Sequence, residues 1–371
     1  MADPAVLIAA ASGRALAGSA RRGGYVPLVA DFFCDQDTVA LAPSHVRIDD
    51  GLAHGMDGDR LIEALDSLAA PNEPIGIVWG SGFEDRPALL ARLAQRWRLI
   101  GNGAQTVAQV KDPMSFAALC ADCGIAHPET RAEPPDDPAG WLVKRKGGAG
   151  GVHIASAARA DAFEGERYFQ RRVGGEPVSA LFLADGRRAA TIGFSTQWCA
   201  PAPARPFRYG GAVRPAVLAP GVADALRDAV QRLACAIPLV GLNSADFLVD
   251  GDDFQLLEIN PRPGATLDVF EPVTPSLFAR HVAACAGELG SAPRLEGAHA
   301  AAIVYAERDI AAFPALEWPA WAADRPHSGT AVKAGEPLCT VSATATTTAA
   351  ARSLVDERLA MVLAWTHARM S

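Results

Sequence analysis

Over its first hundred residues the chain alternates short apolar runs with stretches of helical spacing. That alternation commits the segment to a parallel sheet covered by helices on both faces. The run AVLIAAA (5–11) reads as a strand, then comes the turn Ser12-Gly13-Arg14 and a helical stretch to Arg22. YVPLVAD (25–31) is a second strand, RLIEALDSLA (60–69) a helix, and IGIVWG (75–80) a buried strand that runs into the loop GSGFEDRP. RPALLARLAQRW (86–97) is again helical, and WRLIGN (97–102) reads as a short strand. Ligands of such sheets sit beyond the carboxyl ends of the strands. Ser12, Arg14, Ser81, Glu84, Asp85 and Asn102 fall there, although each of the six is equally an ordinary cap or turn residue.

At 371 residues the chain predicts two or three domains and can bury a large core without disulfide staples. Its seven cysteines are an odd number, scattered along the sequence, which fits a reducing cytoplasm. Cys120 and Cys123 form a lone CxxC, read as two small apolar residues on one helix face rather than a metal pair. The first 22 residues place their basic groups after the apolar stretch, not before it, which is not the order of a secretory leader. No apolar run approaches the roughly 18 residues of a membrane span. A net charge of −8 argues against nucleic-acid binding, yet residues 141–214 carry twelve Lys/Arg against five Asp/Glu. A basic middle in an acidic protein is either a solvated surface or a seat for a polyphosphate.

The style changes after residue 105. VKDPMSFAALCADCGIAHPET (110–130) reads as one helix with Pro113 in its first turn, followed by the Pro-rich linker AEPPDDPAG. The strand WLVKRK (141–146) enters the loop Gly147-Gly148-Ala149-Gly150-Gly151, and GVHIA (151–155) resumes as a strand. RYFQRRV (167–173) is extended, and the next segment reads as a hairpin turning at Asp185-Gly186. Residues 222–237 and 275–288 are helical, and residues 241–264 are two antiparallel strands joined by Gly-Asp-Asp. AAIVYAE, TAVKAG and EPLCTVSA make a β-rich tail, closed by a helix over 347–368.

Three places carry chemistry. In FLVDGDDFQLLEINPRPG, Glu258 and Asn260 are two apart on one strand and so share a face. Asp246, on the preceding strand of the hairpin, adds a third oxygen. Two carboxylates and an amide suit Mg²⁺, which keeps waters and takes substrate phosphates as further ligands. A cross-strand polar pair on a solvated face is the plainer alternative. The second place is LVKRKGGAGGVHI, where glycine amides can approach a phosphate chain and Lys144 adds a charge. It is neither a GxxxxGK nor a GxGxxG motif, and as a hairpin tip it is equally a flexible turn. The third is Gln170-Arg171-Arg172-Val173 followed by Glu176, an extended segment that gains meaning only beside the other two.

In this order, with Lys111 in VKDP, these residues resemble the ATP-grasp superfamily over roughly residues 1–290. The resemblance implies an α/β and α+β protein: an N-terminal doubly wound parallel-sheet domain (1–105), a two-lobe α+β ATP-grasp domain (106–290; small lobe about 128–172, large lobe about 173–290), and a small β-rich C-terminal domain with a terminal helix (291–371). It implies that Lys111, Lys144 and the loop Gly147–Gly151 meet the phosphates of ATP. Gln170, Arg171 and Val173 would meet the adenine and Glu176 the ribose. Asp246, Glu258 and Asn260 would bind Mg²⁺, and Arg262 would stabilise the transferring phosphoryl group. The hinge departs from the common pattern in having Gln170 where Glu often stands, and Lys111 sits in KDP rather than the commoner DK. The tail is similar to biotinyl/lipoyl-type barrels in GT-x-V-x-x-G-x-P but has no Met-Lys modification site.

The implied activity is an ADP-forming ligase joining a small-molecule carboxylate to an amine, in the cytoplasm, with no nucleic acid or membrane partner. The chain is similar to carboxylate–amine ligase-like proteins associated with one-carbon cofactors such as methanopterin and methanofuran. Two other readings share the nucleotide site: a kinase phosphorylating a hydroxyl, and a nucleotide-binding protein without turnover. The segment 195–211, with Gln197, Trp198, Arg208 and Tyr209, is the candidate substrate contact or an ordered surface loop, and the apolar terminal helix leaves room for a homodimer.

Overall fold

The structure, a computed structural model, describes residues 3–49, 51–162 and 165–369. It contains three sheets. The first is parallel, built from β1 (Ala5–Ala9), β2 (Val26–Asp31), β3 (Ser44–Arg47) and β4 (Ile77–Trp79) in the order β3-β2-β1-β4. Alternation along β1 sends Val6 and Ile8 to one face and Leu7 and Ala9 to the other, and all four are fully buried. The Val6–Ile8 face packs on α1 (Arg14–Arg22), and the Leu7–Ala9 face on α4 (Gly58–Ala69) and α5 (Pro87–Ala94). The short helices α2 (Gln36–Leu41) and α3 (Gly51–His54) lie between. The turn out of β1 needs Gly13: a Cβ there would stand 2.5 Å from Val29 Cγ1. The backbone N–H of Gly13 donates to Asp31 Oδ2 at 2.7 Å, which ties β1 to β2 at their carboxyl ends.

Two readings of this region need correction. WRLIGN does not form a strand; it touches β4 through one parallel bridge, Ile77 to Leu99, with Gly101 in a positive-φ conformation two residues on. The helix expected over 110–130 is two helices, α6 (Ala104–Lys111) and α7 (Pro113–Asp122). Pro113 cannot continue α6 because it lacks an N–H, and Asp112, extended at ψ 116°, caps the new helix by accepting from Ser115 N at 2.9 Å. β3 and α6 had no periodic signal of their own.

The second sheet is antiparallel: β5 (Thr130–Arg131), β6 (Trp141–Arg145), β7 (Ile154–Ser156) and β8 (Arg167–Arg171) in the order β5-β8-β6-β7. Residues 150–153 are turn, so the strand expected from Gly151 begins only at Ile154. The third sheet has eight strands. β9 (Glu176–Asp185), β10 (Ala189–Cys199), β11 (Tyr209–Arg214), β12 (Val240–Asp250) and β13 (Asp253–Asn260) include both expected hairpins. The tail then adds β14 (Ala298–Tyr305), β15 (Ala322–Ala323) and β16 (Pro337–Ala345), giving β13-β12-β9-β10-β11-β14-β16-β15. The tail therefore extends the large sheet through β11–β14 pairing instead of closing a barrel. Its TAVKAG segment forms no ladder strand and pairs through the bridge Val332 to Ile310.

One face of the large sheet, with Val178, Ala180 and Phe182, packs on α8 (Pro220–Ala236) through Val222, Leu226, Val230 and Leu233. Each of those side chains contributes about 1.5–3 kcal/mol on burial. The opposite face, with Leu181, Leu183 and Leu242, shares a core with α1, α9 (Leu267–Phe270) and α10 (Leu277–Cys285). That shared core presses the carboxyl ends of the parallel sheet against the exit of β13. The terminal helix α11 (Thr348–Arg369) spends its apolar residues Ala351, Val355 and Val362 on β14 and β16. No helix among the described residues is long and apolar enough to cross a membrane.

Candidate functional site

The hairpin β12–β13 brings the expected oxygens together. Asp246 and Glu258 are register partners, and Asn260 follows two residues on, so all three share one face. Ser179, opposite Asp246 on β9, donates to Asp246 Oδ1 at 2.6 Å, and Asn260 Nδ2 donates to Asp246 Oδ2 at 3.0 Å. That bond turns the amide oxygen of Asn260 the other way. Lys111, the last residue of α6, donates from Nζ to Glu258 Oε2 at 3.0 Å and to Asn260 Oδ1 at 2.9 Å. An ammonium is thus held by a carboxylate and an amide oxygen beside a second carboxylate. Burial and the charge of Glu258 hold the Asp246 carboxyl above its usual range. Burial pushes Glu258 up, but Lys111, His153 and Lys144 together outweigh it and the net shift is down. Among the described residues no three His, Cys, Asp or Glu side chains cluster, so a cation here would need the amide as a donor.

The small sheet faces this hairpin. Lys144 on β6 is buried and donates to Gln170 Oε1 on β8 at 2.6 Å, and burial lowers its pKa to about 8. Gln170 Nε2 donates in turn to Thr130 Oγ1 at 3.2 Å. The loop Gly147–Gly151 lies closed. A Cβ at Gly147 would stand 2.6 Å from Asp85 Cβ, and one at Gly151 (φ +71°) would stand 1.9 Å from the carbonyl oxygen of Phe207. Tyr209 N donates to Gly150 O at 2.9 Å. Glycine is required wherever the loop meets other backbone this closely. Arg171, Val173 and Glu176 lie on the exposed rim where β8 passes to β9, outside the narrow gap lined by Lys111, Gly147, Gly148, Gln170 and Glu258.

His153 lines the same gap, and no sequence pattern singled it out. It is 6% exposed, its ring lies against Gly148, and its Nδ1 has no hydrogen-bond partner. Burial lowers its pKa to about 4 despite the pull of Glu258, so the imidazole is neutral. A lone histidine in a glycine-rich run carries no spacing signal.

The parallel sheet supplies the third side. Arg262, just past β13, donates from Nε to Glu84 Oε1 at 2.7 Å, with Nη2 at 2.6 Å from the same oxygen. Glu84 accepts from the N–H groups of Gly82 and Phe83 at 2.8 and 3.0 Å, and this buried pair fixes where the guanidinium stands. Burial works against the Glu84 charge, but Arg262 and Lys111 bring its pKa below the usual range. Asn102 Nδ2 donates to Asn243 Oδ1 at 2.8 Å and to Pro261 O at 2.9 Å, while its Oδ1 accepts from Val240 N at 2.9 Å. Asp85 meets the glycine loop, as above. Ser12, Arg14 and Ser81 open into a cavity of about 690 Å³ between the strand ends, the Pro263–Asp268 segment and the tail. Of the four candidates in 195–211 only Tyr209 lines it. Gln197 sits in mid-strand opposite Ala212, Trp198 lies under the Arg352 guanidinium of α11 at 3.5 Å, and Arg208 covers the Tyr305 ring at 3.6 Å. All seven cysteines are free thiols.

Comparison with known proteins finds similarity over the region that holds this hairpin. Residues 112–266 match the ATP-grasp domain family. The carbamoyl phosphate synthase large chain of Myxococcus xanthus is 24% identical over 209 residues, which is 50% of this chain and 19% of that protein. The chain thus spans about a fifth of the curated relative it matches. Among solved structures, N5-carboxyaminoimidazole synthetase from Staphylococcus aureus complexed with ADP superposes with a TM-score of 0.70 at 14% identity, covering 96% of this chain and 97% of that one. The biotin carboxylase domain of 2-oxoglutarate carboxylase from Hydrogenobacter thermophilus, a dimer in complex with MgADP, ADP and bicarbonate, gives 0.70 at 13%, covering 92% and 86%. At such identities these two speak for the fold alone. The sequence match falls on the very strands that gather Asp246, Glu258 and Asn260, and residues 112–266 are thereby similar to the ATP-grasp domain.

Proposed function

We propose that this protein is an ATP- and Mg²⁺-dependent, ADP-forming ligase that activates a small-molecule carboxylate as an acylphosphate and joins it to an amine. One observation carries the reading: Glu258 and Asn260 already grip an ammonium beside Asp246, on the face that looks toward Lys144 and the glycine loop. The donor set is all oxygen, which fits Mg²⁺. Bound between Asp246, Glu258 and Asn260, the metal would neutralise phosphate charge. Lys111 and Lys144 bind phosphate oxygens, and the amides of Gly147–Gly151 cap them. Gln170, Arg171 and Val173 border the adenine, and Glu176 takes the ribose hydroxyls. Arg262, held by Glu84, faces the oxygens of the transferring group. The carboxylate attacks the γ-phosphorus, ADP leaves, and the amine displaces phosphate from the acylphosphate. The chain needs no covalent nucleophile for this; alignment and charge stabilisation suffice.

The cavity beyond the strand ends is where a second substrate can reach Arg262, since Pro263 and Gly264 form part of its wall. The activities of the similar proteins named above support a carbon–nitrogen or carboxylate chemistry. The sequence resemblance to ligases associated with one-carbon cofactors directs the substrate search to pterin- and furan-type amines. The test is phosphate release from ATP with Mg²⁺ and paired carboxylates and amines. A ligase forms ADP and phosphate only when both partners are present, and Lys144→Ala or Arg262→Ala lowers kcat at least ~100-fold. ADP without free phosphate would assign a kinase, and undiminished turnover in both variants would overturn the assigned roles.

A further inference from the structure

The 690 Å³ cavity has a definite chemistry. Its walls come from Phe32, Phe33 and Leu52 on the parallel-sheet side and from Ile303, Val332 and Leu338 on the tail side, so most of a bound molecule meets apolar surface. Arg14, Asp35, Asp268 and Asp324 are among the ionisable side chains that line it. Arg14 would be the natural partner of a substrate carboxylate or phosphate, but it is spent. Its Nη2 donates to Asp268 Oδ2 at 2.7 Å and to Asp324 Oδ2 at 2.8 Å, its Nε to Asp324 Oδ1 at 2.9 Å, and its Nη1 to Asp268 Oδ1. A guanidinium has five N–H donors, and those bonds occupy four of them. Asp35 is 4% exposed, and its oxygens accept only from Thr38, from the backbone N–H at 2.9 Å and the hydroxyl at 3.0 Å. The nearby cation, Arg14, is already bonded to the other two carboxylates.

The other charged groups do not reverse this sign. Arg47 is exposed and lies 3.3 Å from Asp49; Lys333 and His327 are exposed at the mouth. His327 Nε2 is 2.9 Å from Cys34 O, and Glu336 accepts from Lys333 N at 2.8 Å. The interior therefore holds three carboxyl groups against one arginine, inside an apolar wall where charge is poorly screened. Burial, with Asp324 and Asp31 nearby, raises the pKa of Asp35 to about 7 against the opposing pull of Arg14.

We propose that this cavity seats the amine partner of the reaction, and that the amine is a cationic molecule with an apolar body and no phosphate or carboxylate group. The proposal rests on the ligase reading for its role, but the charge preference is a property of the cavity and can be measured without turnover. The probes are three molecules of one shape: benzylammonium, benzyl alcohol and benzoate, titrated by protein-observed NMR or calorimetry at pH 7.5 into the full chain without nucleotide, with ribose 5-phosphate as a phosphorylated control. Benzylammonium should bind at least ten-fold more tightly than the alcohol and the two anions. Asp35→Asn should remove most of that preference while leaving MgADP affinity and the melting temperature near wild type. Benzoate or ribose 5-phosphate binding as well as benzylammonium, or no preference for the cation in the wild type, overturns the proposal. MgADP binding measured beside it tells that failure from failure of the ligase reading. If nucleotide binds normally and the anions win, the nucleotide site stands and only the substrate class is wrong.

Discussion

Gln170→Glu is the sharpest probe of the proposed nucleotide site, because the structure gives both the Lys144 contact and its consequence. Lys144 Nζ donates to Gln170 Oε1 at 2.6 Å, and burial has brought the lysine from 10.5 to about 8. That drop of about 2.5 corresponds to roughly 3.4 kcal/mol against the charged form, at 1.36 kcal/mol per pH unit. A carboxylate in place of the amide at the same separation is worth at most ~6 kcal/mol to the ammonium, taking an effective dielectric of 20. Even half of that offsets most of the burial. Lys144 is protonated below its pKa, so the proposed phosphate contact would be present below pH 8 and fade above it. MgADP affinity in the wild type should therefore fall as pH rises through 8, and in Gln170→Glu the fall should begin about two pH units higher. His127 adds a check: its Nδ1 lies 2.7 Å from Leu256 O, which makes Nε2 the acceptor facing Gln170. A carboxylate there favours protonated His127. Calorimetric titration of MgADP from pH 6.5 to 10 measures the shift. If the variant folds and its alkaline limb stays with the wild type's, Lys144 does not contact the phosphates and the site is misassigned.

Two further outcomes follow from the same geometry. Glu84→Ala leaves Arg262 charged in a site where its side chain is only 9% exposed; losing one partner of a buried pair costs ~3–5 kcal/mol, readable by denaturant titration. Glu84→Gln, which keeps the shape, should lower kcat more than it raises KM for ATP, and equal loss in both would show that Glu84 merely holds the fold. Gly151→Ala places a side chain at φ +71° and against Phe207 O; a left-handed conformation costs an L-residue ~1–2 kcal/mol before the clash is counted. The loop must then shift, so nucleotide affinity should drop at least ten-fold with global stability preserved, and unchanged affinity would remove the glycine loop from the site.

The hairpin that carries Asp246, Glu258 and Asn260 was legible in the sequence because its parts are close along the chain. Asp246, Glu258 and Asn260 sit on adjacent strands joined by a tight turn, and the period of two alone puts the last pair on one face. The β1 and β2 strands were legible for a similar reason, each being a continuous buried run. β3 and α6 were not: Ser44–Arg47 is half exposed and pairs only at a sheet edge, and α6 buries only Val107 and Val110. WRLIGN looked like a strand because its apolar residues fill space beside β4, which requires burial but no ladder. The tail misled for a different reason: its turn residues match a barrel pattern, but the open edge of β11 offers backbone partners, and the tail takes them.

The candidate substrate contacts show what a sequence cannot weigh. Segment 195–211 is aromatic and basic, yet Trp198 is covered by Arg352, Arg208 stacks on Tyr305, and of the four candidates only Tyr209 lines the cavity. Arg14 is the opposite case. Standing at the end of β1, it invites the reading of an anion-binding residue, and by position it is correct to suspect it. Its meaning is reversed by Asp268 and Asp324, 254 and 310 residues further along the chain. Those carboxylates arrive only because α1, α9 and α10 share a core and the tail joins the large sheet. A site's residues can thus be local in sequence while its charge, and with it the sign of the molecule it accepts, is set by docking between segments that carry no common pattern.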